Sequence, residues 1–370
     1  MSGREWTHTG VAQRLVFGAG TLRQVPELLR ALGLERVMLV TTAGRLGSAD
    51  GRRLTGLLGR ALASTFAQVS AHTPTPVVQA AVLQARRDGV DGLVSFGGGS
   101  CADTAKAVNF FAEQEAGMPA TTWTEHALLP HVAVPTTYSG AELTAFFGLT
   151  DPHTRHKRGA GGPSCAPVAA VYDPELTLAT PVRVSAETGM NALAHCVEVV
   201  WSPSCTPEAE AIALAGARRI VDALPAVVDD PADIEARTAM LEGAALGGRC
   251  LQNGTMGIHH GLAQLVGGRT GMPHGLANAV ILPHAIRYNA DAVPEAVAKL
   301  SEALGAGDDL AGFVESLVAR LGLPTRLSAC GVGEDDLEAV ARLSQSNPNV
   351  LLNPKPVTEA DALAVLQAAY

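Results

Sequence analysis

The second half of the chain holds three histidines and two amides whose types and spacing can do chemistry. Thr188-Gly-Met-Asn-Ala-Leu-Ala-His195-Cys-Val-Glu198 reads as helix, with Met190, Leu193, Ala194, Val197 and Val200 on one face and Thr188, Asn191, His195 and Glu198 on another. An Asn/His pair at i, i+4 points two donor atoms at one centre. His260 and Gln264 repeat that spacing within segment 254–267, where several glycines allow close helix packing, beside His259. His274 follows in Pro273-His-Gly275, at an expected helix start. His195, His260 and His274, with Asn191 as a weak oxygen ligand, have the composition of a metal site or of a proton-carrying site. His8, His72, His126, His131, His153 and His156 show no such arrangement and are read as ordinary core or surface residues.

A second chemical signal lies upstream. Phe96-Gly97-Gly98-Gly99-Ser100 follows a strand pattern and opens a helix near Cys101. Consecutive glycines let backbone approach a ligand, and a helix N-terminus offers N–H groups with a positive dipole end, which together make a pyrophosphate cradle. The stretch is neither Gly-x-Gly-x-x-Gly nor a Walker loop, so a ligand-free tight turn stays open as an alternative. Asp103 and Lys106, on the first turns of that helix, either reach the ligand or are solvated. Pro135-Thr136-Thr137-Tyr138-Ser139-Gly140 follows another strand pattern and is expected on the same sheet edge, where open α/β sheets bind nucleotides. After Val37-Met-Leu-Val40 come Thr41-Thr42, with no acid for a ribose 2′-hydroxyl and Arg45 close by, so tolerance of NADP is expected.

The elements that must position these residues divide into two kinds. Strand patterns at Arg14–Phe17, Arg36–Thr41, Thr65–Val69, Gly92–Phe96 and His131–Val134 alternate with helical patterns at 21–32, 50–62, 76–87 and 101–112. Such alternation implies parallel pairing through right-handed crossovers, hence an open α/β sheet. Thr144–Leu149 and Val168–Tyr172 flank a basic stretch ending Arg155-His-Lys-Arg158 and are expected to form a hairpin-like excursion with a solvated tip. Beyond Asp173-Pro174 only helical periodicity remains, at 185–201, 207–223, 232–250, 254–267, 275–288, 292–304, 309–321, 334–344 and 358–369. The expected division is therefore residues 1–178, an α/β dinucleotide-binding domain, and 179–370, an all-helical catalytic domain, with the cleft between them the default ligand site.

Composition bounds the function. A chain of 370 residues is long enough for two cores, and 47% hydrophobic with 17% charged residues describes a globular protein. A net charge of −9 argues against a nucleic-acid partner. No apolar run approaches the roughly 20 residues that span a bilayer, and the N-terminus lacks a signal-peptide layout. Six scattered cysteines without a Cys-x-x-Cys pair are read as reduced, small core residues in a cytoplasmic protein.

Taken together, Phe96-Gly-Gly-Gly-Ser-x-x-Asp103-x-x-Lys106, Pro135-Thr-Thr137, Tyr172-Asp-Pro-Glu-Leu176, the 188–195 segment, and Pro273-His-Gly-x-x-Asn278 with Leu282-Pro-His284 resemble the iron-containing alcohol dehydrogenase superfamily. Tyr138, Asn191 where metal-dependent members carry Asp, and Asn353-Pro-Lys-Pro356 make the chain most similar to the maleylacetate reductase branch. The resemblance covers essentially the whole chain. It implies a dehydroquinate synthase-like fold, hydride transfer from NADH or NADPH to a small carboxylate such as maleylacetate, and a homodimer. By position it implies a cofactor site at Gly97, Gly98, Gly99, Ser100, Asp103, Thr136, Thr137 and Thr42. It places His195, His260, His274, Asn191, Tyr138 and Gln264 at the substrate. No metal is expected, since Asn191 removes the ligand carboxylate; an iron or zinc ion, if present, would take Asn191, His195, His260 and His274. Gln264 stands where the family usually has a catalytic histidine, and an amide donates a hydrogen bond but delivers no proton near neutral pH. Ala141 replaces a frequent Ser. Arg249 and Arg269 are candidates for the substrate carboxylates. Two alternatives follow: a metal-dependent alcohol dehydrogenase, or a scaffold repurposed for binding or non-redox chemistry.

Overall fold

The computed structural model describes residues 6, 10–71, 73–118, 127–151 and 157–370. His8, His72, His126, His153, Arg155 and His156, and with them most of the basic stretch, lie outside the described residues. The chain divides into two compact units, Val11–Thr180 and Pro181–Tyr370.

The first unit is an α/β sheet. Its order of elements is β1 (Arg14–Phe17), α1 (Val25–Ala31), β2 (Val37–Thr41), α2 (Ala43–Leu46), α3 (Ala49–Leu58), β3 (Leu62–Phe66), α4 (Thr75–Asp88), β4 (Gly92–Gly97), α5 (Gly99–Glu115), β5 (His131–Pro135), β6 (Phe146–Thr150), β7 (Lys157–Gly161) and β8 (Ala169–Tyr172). Six strands pair in the order β1-β8-β5-β4-β2-β3, all parallel. Strands β2, β4 and β5 are buried at every position, which is why they read as continuous apolar runs without alternation.

Two strand expectations are corrected. The third strand spans 62–66 rather than 65–69, because α3 ends at Leu58 with Gly59 at φ 50, and one 3-10 turn then enters the strand early. The antiparallel partner of β6 is Lys157–Gly161, not Val168–Tyr172. The latter is β8, drawn into the main sheet between β1 and β5. A polar, glycine-rich segment such as Lys-Arg-Gly-Ala-Gly carries no strand pattern of its own; its pairing comes from the backbone of β6.

His131 on β5 is buried, its Nε2 2.7 Å from Ser95 Oγ. Burial, and then the charge of Lys106, push its pKa from 6.5 down to about 3. Above about pH 6.5 the ring is neutral in the folded and unfolded chain alike and contributes nothing. Below it the unfolded chain binds a proton that the folded chain refuses, so stability falls with pH until about pH 3, by about 1.4 kcal/mol per unit. His131→Gln is expected to flatten the acid limb of a urea-stability profile by that slope; an unchanged limb would contradict it.

The second unit is helical: α6 (Val182–Trp201), α7 (Pro207–Asp229), α8 (Ile234–Asn253), α9 (Ile258–Thr270), α10 (His274–Asn289), α11 (Pro294–Leu304), α12 (Leu310–Arg320), α13 (Glu334–Ser344), α14 (Pro348–Leu351) and α15 (Glu359–Ala368). The nine expected helices are found, and α14 is a one-turn addition. Helix α7 runs through Pro225 to Asp229, beyond the expected end at 223, because Leu224 and Val227 are buried against its neighbours and that packing outweighs the proline. Thr358 and Asp361 form the expected capping box. Among the described residues no helix is long and apolar enough to cross a membrane. The six cysteines are free thiols, and only Cys330 is not fully buried.

Candidate functional site

The glycine loop and the 135–140 loop leave the sheet at one level, since Gly97 on β4 is in register with Pro135 on β5 and the Thr136 N–H donates to Gly97 O at 2.9 Å. Gly97 has φ 143, a conformation L side chains rarely adopt. A Cβ at Gly99 would stand 2.9 Å from Ser139 Oγ, and one at Gly98 would stand 3.3 Å from Thr137. Helix α5 starts at Gly99 with no side-chain cap on its first N–H groups. The hydroxyls of Thr136 and Thr137 are buried and make no hydrogen bond among the described residues. Bare backbone, an uncapped helix start and unsatisfied hydroxyls are what a nucleotide diphosphate would fill. Gly99→Val is expected to weaken NAD(P)H binding at least about tenfold, because the cradle has no room for side chains; fluorescence titration of the cofactor checks this.

The other residues assigned to that site have partners of their own. The Thr42 hydroxyl caps α2 by accepting from the Arg45 N–H at 3.2 Å. Ser100 is half-buried, and its carbonyl accepts from the Thr104 hydroxyl. Asp103 meets Lys106 Nζ at 2.8 Å, and Lys106 is neither solvated nor aimed at a ligand: it is fully buried and donates to Ala141 O, Thr144 Oγ1 and Phe146 O. Tyr138 is fully buried in the 135–140 loop. Arg45 donates to Thr180 Oγ1 at 2.7 Å, and that hydroxyl donates to Thr136 O.

The second unit gathers the histidines. Helix α6 is buried along its whole length from Gly189 to Trp201, so the polar stripe Asn191, His195, Glu198 lies inside the unit. The rings of His195 and His260 stack with centroids 4.8 Å apart, and His274 lies 5.9 Å from His260. The close approach of α10 to α6 requires Gly275, where a Cβ would stand 2.5 Å from Glu187 O. Burial, and then the neighbouring His260, hold the pKa of His195 well below its ordinary value, so it is neutral near pH 7. Thr188, also on the stripe, bonds back to Val184 O.

Three residues absent from the expected site complete it. Glu198 is fully buried; its Oε2 lies 2.5 Å from His260 Nδ1 and 3.2 Å from His259 Nδ1, and it accepts from the His260 backbone N–H at 3.1 Å. Its Oε1 accepts from the Gly257 N–H at 2.9 Å. Burial alone would raise the Glu198 pKa, but the hydrogen bonds from His259 and His260 outweigh it and keep the group ionised. Asn278 is the second hub: its Nδ2 donates to Asn191 Oδ1 at 2.7 Å and to His274 O, while its carbonyl accepts from His259 Nε2 at 2.9 Å. Asn353, from the Asn-Pro-Lys-Pro segment, accepts from the Ile258 N–H at 3.1 Å, and its side-chain amide exchanges a pair of hydrogen bonds with that of Asn289. The available signal was spacing: Glu198 is i+3 from His195 on the same stripe.

Gln264 is half-buried on α9, and its Oε1 accepts from Asn349 Nδ2 at 3.3 Å. Arg269 is spent on Asp336, at 2.6 Å. Arg249 is half-buried and makes no ion pair among the described residues. Among the described residues, the His/Cys/Asp/Glu group whose donor atoms come within 4.8 Å of one another is Glu198, His259 and His260. Its 2.5 Å oxygen–nitrogen separation is that of a hydrogen bond, shorter than the edge of a zinc coordination shell.

Comparison with known proteins identifies the family. Residues 12–174 match the family model for iron-containing alcohol dehydrogenase, and residues 185–370 match its C-terminal counterpart. The chain is similar to the maleylacetate reductase of Rhizobium sp., 36% identical over 99% of this chain and 97% of that one. The crystal structure of maleylacetate reductase from Agrobacterium tumefaciens superposes with a TM-score of 0.87 at 35% identity, over 100% of this chain and 99% of that one. Sulfoacetaldehyde reductase from Bifidobacterium kashiwanohense, solved in complex with NAD+, gives 0.88 at 25% identity, over 99% of both chains. The chain belongs to the iron-containing alcohol dehydrogenase family.

Proposed function

We propose that the chain is an NAD(P)H-dependent reductase of the maleylacetate reductase type, which converts maleylacetate and a proton to 3-oxoadipate. The observation that carries this reading is the end-to-end likeness to enzymes named maleylacetate reductase. When bound, the reduced nicotinamide supplies the hydride. The glycine loop with Thr136 and Thr137 holds its diphosphate. His195, His260 and His274, with Asn191 and Gln264 as uncharged donors, stabilise the negative charge that develops on the substrate oxygen. His260, His274 or Tyr138 returns the proton, since Gln264 has none to give. A cytoplasmic homodimer is part of the same reading.

The centre fits a divalent ion poorly, and we read the reaction as metal-independent. Position 191 offers an amide whose oxygen is already taken by Asn278, and the neighbouring carboxylate, Glu198, has both oxygens engaged. An ion held by His195, His260 and His274 alone would have no anionic protein ligand, unlike one with a carboxylate at position 191. Loss of NAD(P)H absorbance on adding maleylacetate, with and without a chelator, tests both points. Consumption abolished by chelator favours a metal-dependent dehydrogenase, and no consumption by folded protein removes the reductase reading.

Arg249 is assigned to a substrate carboxylate, since Arg269 is already paired. Arg249→Ala is expected to raise KM for maleylacetate roughly 10–100-fold, the worth of a charged hydrogen bond, and Arg269→Ala to leave it within about twofold. Equal effects would remove the distinction.

A further inference from the structure

We propose that Glu198 is the positioning residue of the histidine centre: its buried carboxylate fixes His260 as the Nδ1–H tautomer, so that any chemistry of this ring goes through Nε2. The catalytic consequence rests on the reductase reading; the tautomer does not.

His259 Nε2 faces the Asn278 carbonyl at 2.9 Å, and a carbonyl only accepts, so that nitrogen carries a hydrogen. Whatever the charge of His259, the nearest neighbour of His260 Nδ1 is Glu198 Oε2 at 2.5 Å. A lone pair at Nδ1 would oppose a carboxylate oxygen, whereas an N–H bonds to it. The carboxylate cannot turn away. The backbone N–H of Gly257 fixes one oxygen at 2.9 Å and that of His260 fixes the other at 3.1 Å, both at the start of α9, whose positive end favours an anion. Asn353 bonds the intervening Ile258 N–H, so the first turn of α9 is clamped around Glu198. The stack of His260 on His195 then fixes the ring plane.

The backbone around position 198 suits a carboxylate rather than an amide. Two backbone N–H groups face the two oxygens, and backbone donors cannot reverse. A Gln at 198 satisfies one with its oxygen and opposes the other with its NH2; with that NH2 toward His260, the ring is driven to the Nε2–H tautomer.

The test uses full-length protein labelled with 15N-histidine, with the His260 resonances assigned by their absence in His260→Gln. Long-range 1H–15N correlation is expected to show Nδ1–H in the unaltered enzyme and a shift toward Nε2–H in Glu198→Gln. In Glu198→Gln, kcat is expected to fall roughly 10–100-fold, as when the group orienting a functional histidine is lost, with KM for NAD(P)H within about twofold. An Nε2–H signal in the unaltered enzyme overturns the proposal whether or not the variant folds. A folded Glu198→Gln variant with near-normal kcat overturns the catalytic part. Absence of all turnover on maleylacetate would instead defeat the reductase reading and leave the tautomer result standing.

Discussion

Alanine at His260 is expected to lower kcat with maleylacetate by about 10²–10⁴-fold, the range for losing a positioned acid or base. His195→Ala and His274→Ala are expected to lower it strongly as well. Each change acts on one connected centre. His260 stacks on His195, neighbours His274, and bonds to Glu198, which also orders the start of α9. With an amide at 264, no further side chain on this face of α9 replaces the lost ring. On the proposed reading the cofactor is held by different residues, Gly97 to Ser100 with Thr136 and Thr137, so the dissociation constant for NAD(P)H should stay within about threefold. Steady-state rates and a fluorescence titration on the same samples separate the two quantities. Near-normal turnover in all three variants would show that the histidine centre is not where the reaction occurs. Because these residues act as a unit, a double variant should lose little more than the worse single one.

Lys106→Met is expected to destabilise the first unit by about 3–5 kcal/mol, the cost of breaking a buried ion pair from one side. The ammonium is fully buried and meets four acceptors: Asp103 at 2.8 Å, Ala141 O and Thr144 Oγ1 at 2.9 Å, and Phe146 O at 2.5 Å. Methionine fills the length of the side chain but removes the charged donor from Ala141 O and Phe146 O, which are then left to the longer bonds from Thr144. Among the described residues Asp103 then keeps a long contact to the Gly148 N–H, at 3.4 Å. Surface pairs set the contrast: removing Arg86 from Glu115, whose side chains are 74% and 53% exposed, should cost little. Urea unfolding measures both, and a loss below about 1 kcal/mol for Lys106→Met would show that the site is rebuilt around water. Since Lys106 ties α5 to the chain just after Ser139 and Gly140, the folded variant should also bind NAD(P)H more weakly.

Local pattern carried much of the fold. Continuous apolar runs at β2, β4 and β5 named a buried parallel sheet, because a strand covered on both faces has no polar side to show. Helical periodicity placed the nine long helices of the second unit, and i, i+4 spacing put Asn191 with His195 on one stripe. The triple glycine marked the tight strand-to-helix turn, because backbone freedom and a helix start are properties of a few consecutive residues.

What the tertiary structure alone decided involves partners far apart in the chain. Glu198 meets His260 across 62 positions, and Asn278 meets Asn191 across 87. Lys106 reaches Phe146 across 40. Periodicity says which face of a helix a side chain occupies, but helix packing decides which other face it meets. A polar side chain therefore reads the same in sequence whether it is solvated, as Lys106 was allowed to be, or buried at the centre of a network. Strand β7 shows the same limit for backbone, since Lys157–Gly161 becomes a strand only because β6 offers it a ladder of hydrogen bonds. The residue types able to do chemistry were written locally; burial and the order of the hydrogen bonds made a site of them.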